Sequence, residues 1–261
     1  AEGGMHRIQS AVASNHAGVS RESVWCLTCP LRQIPALHGV SDADAMTLEE
    51  FKQGQRFAEA GSVILERGAR PGLFTLFSGW AAEYRALGSG ERQLVAILLP
   101  GDLIGLDTVM AGPSESTIIA LTPVILCSFA PARTDEMFRH ESFMRSITRA
   151  AVAGRRRLVD ALTAVGAGRT SRALAHFVVT LHDRLQIRGL MHDGIFKTPL
   201  GKRHLAEACG VTGVHLHRVM QFLQSERVMS FSAGQFSIHD MERLRRMAGL
   251  SVNGAEAETV L

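Results

Sequence analysis

Two groups of residues in this sequence have the types and spacing to do chemistry. The first is built on thiols. Cys26-Leu27-Thr28-Cys29 is a C-x-x-C pair, and Cys127 recurs inside the apolar run VILCSF. Thiolates ligate soft metals and exchange disulfides, and a C-x-x-C spacing serves either use. The second group is cationic and hydrogen-bonding: Lys202, Arg203, Thr212, Gly213, Val214, His217 and Arg218, set around Gly210. Lys and Arg hold phosphates, and Arg also matches the N7/O6 edge of guanine, so this group suits duplex DNA. No Gly-rich phosphate loop, H-E-x-x-H zinc motif or G-x-S-x-G elbow is present, and an enzyme is not expected.

The second group needs a rigid frame, and Thr198 to His239 supplies one. Leu205 and Ala206 lie on a first helix, and Gly210 gives the turn a residue free to take positive φ. Thr212 is an N-cap candidate for the next helix. Leu216, Val219, Phe222 and Leu223 then recur at spacings of three and four, which predicts one buried face. Gly213, Val214, His217, Arg218 and Gln221 take the other face. Two short alternating runs, VMSFS and QFSIH, follow on either side of Ala233-Gly234 and read as a hairpin. The whole is a helix-turn-helix with a wing.

Upstream, residues 55–129 carry short apolar runs punctuated by glycine. SVILE, LFTLFS, WAAEYRA, QLVAILL, STIIAL and VILCSF read as strands of a compact all-β roll or barrel. Beyond Pro131 the period becomes helical: Met144, Ile147, Ala151, Leu158, Leu162 and Val165 make a long seam. Roughly 30 helical residues extend ~45 Å, more than one small domain needs, and a striped helix of that length pairs with its twin. Glycines at 166 and 168 break it. SRALAHFVVTLHDRL follows, with Leu174, Phe177, Val178, Leu181 and Leu185 on the face expected beneath the helix-turn-helix.

The totals fit this layout. At 261 residues the chain can hold one large domain or two moderate ones, and its net charge is only +3. Charge is unevenly placed: twelve Arg/Lys against eight Asp/Glu from Gly168 onward, sixteen against seventeen before it. No apolar run approaches the ~18 residues of a membrane span. The N-terminal residues lack the apolar core of a signal peptide. Four cysteines in a chain of this length do not make a disulfide scaffold. A reduced, cytoplasmic location is the expectation. Met5 is expected as the natural start, preceded by an added AEGG.

Roll, long helix, hinge and winged reader, in that order, resemble the CRP/FNR family of bacterial transcription regulators. The resemblance covers about residues 25–250, best at LPGDLIGL (99–106) and LAEACGVTGVHLHRVMQFLQSERVM. It implies an α+β fold. Residues 25–132 form a cyclic-nucleotide-binding-like β-roll, a double-stranded jelly roll, and 133–167 a dimerisation helix and hinge. Residues 168–250 form the winged helix-turn-helix, between a flexible leader (1–24) and a flexible tail (251–261). It also implies a homodimer on a palindromic operator, acting through contacts with RNA polymerase.

The sensor residues depart from the family's cyclic AMP pattern. Such members have Gly-Glu and, farther on, Arg-Ser or Arg-Thr; this chain has Gly105-Leu106-Asp107 and Glu115-Ser116-Thr117. Leucine replaces the ribose-binding glutamate, and a carboxylate stands where a phosphate needs a cation. Residues 99–120 contain no Arg or Lys, so cyclic AMP is not the expected ligand. Oxygen-sensing members bind a [4Fe-4S] cluster through an N-terminal cysteine group and one late in the roll. Cys26, Cys29 and Cys127 match three such ligands, with His38 as a substitute fourth. A thiol switch at Cys26/Cys29 and inert structural cysteines are the other two readings. Haem would need an axial histidine, for which His6, His16, His38 and His140 are the candidates. At Val214 the best-known members have glutamate; valine offers apolar contact to a thymine methyl instead. A second function class is a sensor subunit whose C-terminal part docks a protein, which binding of a palindromic duplex would separate from the first.

Overall fold

The computed structural model describes residues 23–34, 40–69, 72–88, 90–191 and 195–250. Two 3-10 turns, Cys26–Thr28 and Pro30–Gln33, open it. Helix α1 (Asp42–Phe51) follows, started by a reciprocal cap in which Ser41 Oγ accepts from the Asp44 amide and the Asp44 carboxylate accepts from that of Ser41. The roll comprises β1 (Lys52–Ala58), β2 (Val63–Leu65), β3 (Leu73–Ser78), β4 (Ala81–Ala86), β5 (Arg92–Leu98), β6 (Leu103–Ile104), the short α2 (Leu106–Met110), β7 (Thr117–Ala120) and β8 (Val124–Phe129). One sheet has the order β1-β8-β3-β6 and the other β2-β7-β4-β5, and their recorded pairings are antiparallel.

Strand β8 shows why the roll is layered as it is. Its even positions, Val124 and Leu126, enter a core with Leu65, Leu76, Leu98, Ile104 and Ile118. Its odd positions, Cys127 and Phe129, enter another with Leu31, Phe51, Leu73, Phe77, Met137 and Phe143. A strand buried on both faces reads as an unbroken apolar run, as VILCSF does.

The short α3 (Thr134–Phe138) leads to α4 (Glu141–Gly166) and, past the break at Gly168 (φ +70°), α5 (Thr170–Ile187). Then come β9 (Ile195–Lys197), α6 (Lys202–Cys209), α7 (Gly213–Ser225), β10 (Met229–Ser232), β11 (Gln235–Ile238) and α8 (Met241–Ala248). The wing is three-stranded, ordered β10-β11-β9, so β9 joins the expected hairpin. Helix α5 packs on α6, α7 and α8. The contacts divide the chain into two compact units, one within residues 1–86 and 96–151, the other within 87–95 and 152–261. Among the described residues no helix is long and apolar enough to cross a membrane. The leader and tail expected to be flexible lie almost wholly outside the described residues. Val24, inside the leader's bounds, is tied down: its amide donates to Gln55 Oε1 and its carbonyl accepts from Lys52 Nζ.

Candidate nucleic-acid interface

The reader is assembled by two caps around one turn. Helix α6 begins at Gly201, whose amide donates to His204 Nδ1 at 3.0 Å. It ends at Gly210 (φ +64°), whose amide returns to Ala206 and Glu207. Two residues later Thr212 Oγ1 accepts from the His215 amide at 3.3 Å and starts α7. Leu205, Ala206 and Cys209 of α6 and Leu216, Met220 and Leu223 of α7 are buried. They fix the angle between the helices. Cys209 is 3% exposed, and burial alone pushes its thiol up to about 12.

One expectation fails here. Phe222, expected in the buried face, is 51% exposed, and Met220 takes its place at 8%. The run Val219-Met220-Gln221-Phe222-Leu223 offers too many apolar residues for spacing alone to choose between them. Thr212, Gly213, Val214, His215, His217, Arg218 and Gln221 are all exposed, as are Lys202 and Arg203. The Arg203 guanidinium is not free: its Nε donates to Glu207 Oε1 at 2.9 Å. Below the reader the wing closes on Ala233 (φ +47°) and Gly234 (φ +79°), the left-handed pair a two-residue hairpin requires. A side chain at 234 would come within 2.5 Å of the Thr198 carbonyl, so glycine is needed there.

In the roll, the residues compared with the cyclic AMP pattern are dispersed differently from expectation. Leu106 packs against the Phe77–Phe129 cluster. Glu115 is exposed, with Arg85 at 3.5 Å and Arg67 at 3.7 Å, rather than held in a desolvated pocket. Ser114 and Ser116 point inward, and each hydroxyl meets a carboxylate: Ser116 Oγ donates to Glu83 at 2.6 Å, Ser114 Oγ to Asp107 at 3.1 Å. Glu83 was missed in the sequence because it lies on another strand, thirty-three residues away. Thr117 Oγ1 accepts from the Arg67 amide. Gly105 (φ +82°) is pressed against the Gly72 carbonyl, which a Cβ would approach to 1.9 Å.

The three N-terminal-half cysteines do share one corner. Cys127 sits opposite Gln55 of β1 and Thr75 of β3, and Gln55 Nε2 donates to its sulfur at 3.5 Å. Cys29 packs against the same cluster. The Cys26 amide donates to Glu49 Oε2 at 2.6 Å. Burial pushes all three thiols up, Cys29 to about 11, and the Glu49 carboxylate raises Cys26 further. Burial works against that carboxylate, yet the Cys26 amide, the Cys26 thiol and Lys52 together hold its pKa below the usual range.

A [4Fe-4S] cluster asks for four ligands, usually thiolates. Among the described residues this corner brings three thiols together, and no group of three or more Cys, His, Asp or Glu is arranged to hold a metal ion. His38 lies outside the described residues, as do His6 and His16. Three of the four expected ligands, Cys26, Cys29 and Cys127, therefore lie in one corner, and the fourth, His38, is not among the described residues. His140 is placed between Phe51 and Phe143, with ring centroids at 5.7 and 5.5 Å.

Comparison with known proteins agrees with this geometry. A cyclic nucleotide-binding domain model matches residues 55–141 and a Crp-like helix-turn-helix domain model residues 172–247. The nitrogen fixation regulation protein FixK of Bradyrhizobium diazoefficiens is 21% identical, over 86% of this chain and 94% of its own. The fumarate and nitrate reduction regulatory protein of Escherichia coli K12 is 20% identical, over 96% and 97%. The structure of FixK2 from Bradyrhizobium japonicum superposes with a TM-score of 0.66 at 19% identity, covering 76% of this chain and 98% of that one. With a roll, a long helix and a winged reader in that order, the chain belongs to the CRP/FNR family of DNA-binding transcription regulators.

Proposed function

We propose that this regulator acts as a homodimer on a palindromic operator and answers a signal other than cyclic AMP. The observation that carries the dimer is on α4. Val152, Leu158, Val159, Leu162 and Val165 are 41–73% exposed along a helix of about 39 Å. Five large apolar side chains on one helix need a cover, and a second copy of the same helix offers a matching one. Two readers then face successive major grooves. Thr212, Gly213, Val214 and Arg218 enter the groove, while His217, Lys202, Arg203 and the wing lie along phosphates. RNA polymerase is the partner for activation.

The case against cyclic AMP rests on Glu83 and Asp107. A cyclic phosphate beside Ser114 and Ser116 would meet two carboxylates already bonded to those hydroxyls. Like charges in a partly dry site repel strongly. The relatives named for fumarate and nitrate reduction support a redox or oxygen signal, with the thiol corner as its place of action.

Sedimentation of the purified chain, followed by titration of a labelled palindromic duplex at two salt concentrations, tests the proposal. Two chains per duplex and affinity that falls with salt are expected. One chain at every concentration would reject the dimer. Stabilisation of the fold by cyclic AMP would reject the signal assignment.

A further inference from the structure

A regulator of this kind must tell one duplex from another, and the side chains that do so follow from which face of α7 is occupied. Leu216, Met220 and Leu223 are buried at spacings of four and three. Val214, Arg218, Gln221 and Ser225 repeat those spacings and are all exposed. The two stripes are offset by two residues, which on an α-helix is about 200° of rotation. Val214, Arg218 and Gln221 therefore run down the line pointing straight away from the body. His215 and His217 each stand one residue from Leu216, about 100° to either side of it, on the two flanks.

The chemistry on that line is available for recognition. Among the described residues neither Arg218 nor Gln221 has a side-chain partner. Neighbouring cations do: Arg203, Arg243 and Arg246 are paired with Glu207, Glu226 and Glu242. Val214 is 67% exposed and presents two methyl groups. Gly213 adds no side chain to the first turn, and a Cβ there would meet nothing within 4 Å.

We propose that Val214, Arg218 and Gln221 form one reading row, in which Gln221 is a specificity-determining residue that selects adenine. Its amide both accepts from N6 and donates to N7, a pairing no other base edge offers. Arg218 takes guanine and Val214 a thymine methyl. His215 and His217 face the two sugar-phosphate walls and carry no base preference. Along the helix Arg218 and Gln221 are ~4.5 Å apart, and Val214 and Arg218 ~6 Å. Base pairs are ~3.4 Å apart, so the adenine falls within about two base pairs of the guanine and the thymine within about two on the other side. This assignment rests on the DNA-binding function of the reader.

Selection from a randomised duplex library with the full-length chain tests it, with melting curves to show that each surface variant is folded. The wild type should enrich guanine with a neighbouring adenine. Gln221→Ala should lose that adenine alone, with about tenfold weaker binding to the wild-type site. Gln221→Glu should replace the adenine by cytosine, whose amino group a carboxylate accepts. His217→Ala should select the wild-type sequence. If both Gln221 variants keep the wild-type sequence, or His217→Ala changes it, the reading row is wrong while DNA binding stands. A wild-type chain that retains no duplex at all rejects the DNA-binding function and the row with it.

Discussion

Helices α4 and α5 are consecutive, both long, and both written with apolar residues at helical spacing, yet they send those residues to opposite fates. On α5, Leu174, Val178, Val179, Leu181 and Leu185 are 0–3% exposed. Polar residues go in with them: His176, His182 and Arg184 are also buried. On α4, Phe143 and Ala164 alone fall in that class, and Leu162 is 73% exposed. Periodicity identifies a helix and its sticky side; it does not say whether the cover comes from the same chain. α5 is covered by three helices that follow it in sequence. Among the described residues the C-terminal half of α4 keeps Leu158, Val159, Leu162 and Val165 exposed, and that stripe is the proposed dimer seam.

The contrast is sharpened first by matched truncations. Leu174→Ala should cost ~2–5 kcal/mol of unfolding free energy whatever the protein concentration, because it leaves a cavity at a fully buried site. Chemical denaturation at two concentrations reads this. Leu162→Glu should leave the folded chain intact but split the dimer, lowering affinity for a palindromic duplex about 100-fold as two-handed binding is lost. If Leu162→Glu instead unfolds the chain, α4 is a core helix like α5 and the comparison fails.

A smaller effect is expected at the reader's cap. Thr212→Ala removes the acceptor for the His215 amide and should destabilise by ~1 kcal/mol. The smallest distinguishes the two helices by pH. Burial lowers the pKa of His176 on α5, against an opposing pull from Asp160 on α4. The folded state therefore prefers the neutral ring. That preference contributes fully above the unfolded value of about 6.5 and is lost as pH falls through it towards the lower folded value. Melting temperature should drop on acidification from pH 7 to 5, and a His176→Gln variant should drop less. An equal drop in both would assign the effect to other groups.

Which features could be read from sequence depends on how much they rely on distant partners. The turn at Gly210, the cap at Thr212 and the Ala233-Gly234 hairpin are set within a few residues, and all three are found as expected. Six strands with β-branched or aromatic runs are also found. Strand β1, KQGQRFA, carries no apolar alternation, because it is a polar edge strand whose pairing with β8 makes it a strand. β6 and β9, two and three residues long, carry no period at all. The sensor was least legible. Glu115 differs from its sequence neighbours: Ser114 and Ser116 are buried while it is exposed, and nothing in the local sequence separates them. Met220 displaced Phe222 in the core of the reader.

The segment LPGDLIGL has a further lesson. Asp102 spends its carboxylate on the Leu99 amide at 2.7 Å, Gly101 and Asp102 exchange backbone bonds with Leu76, and Gly105 leaves no room for anything but hydrogen beside Gly72. Every fixed point of that octapeptide is consumed in bending the chain from one strand to the next. Two proteins can therefore share it letter for letter while admitting unrelated molecules, or none, and scans keyed to it gather chains by their shape rather than by their appetite.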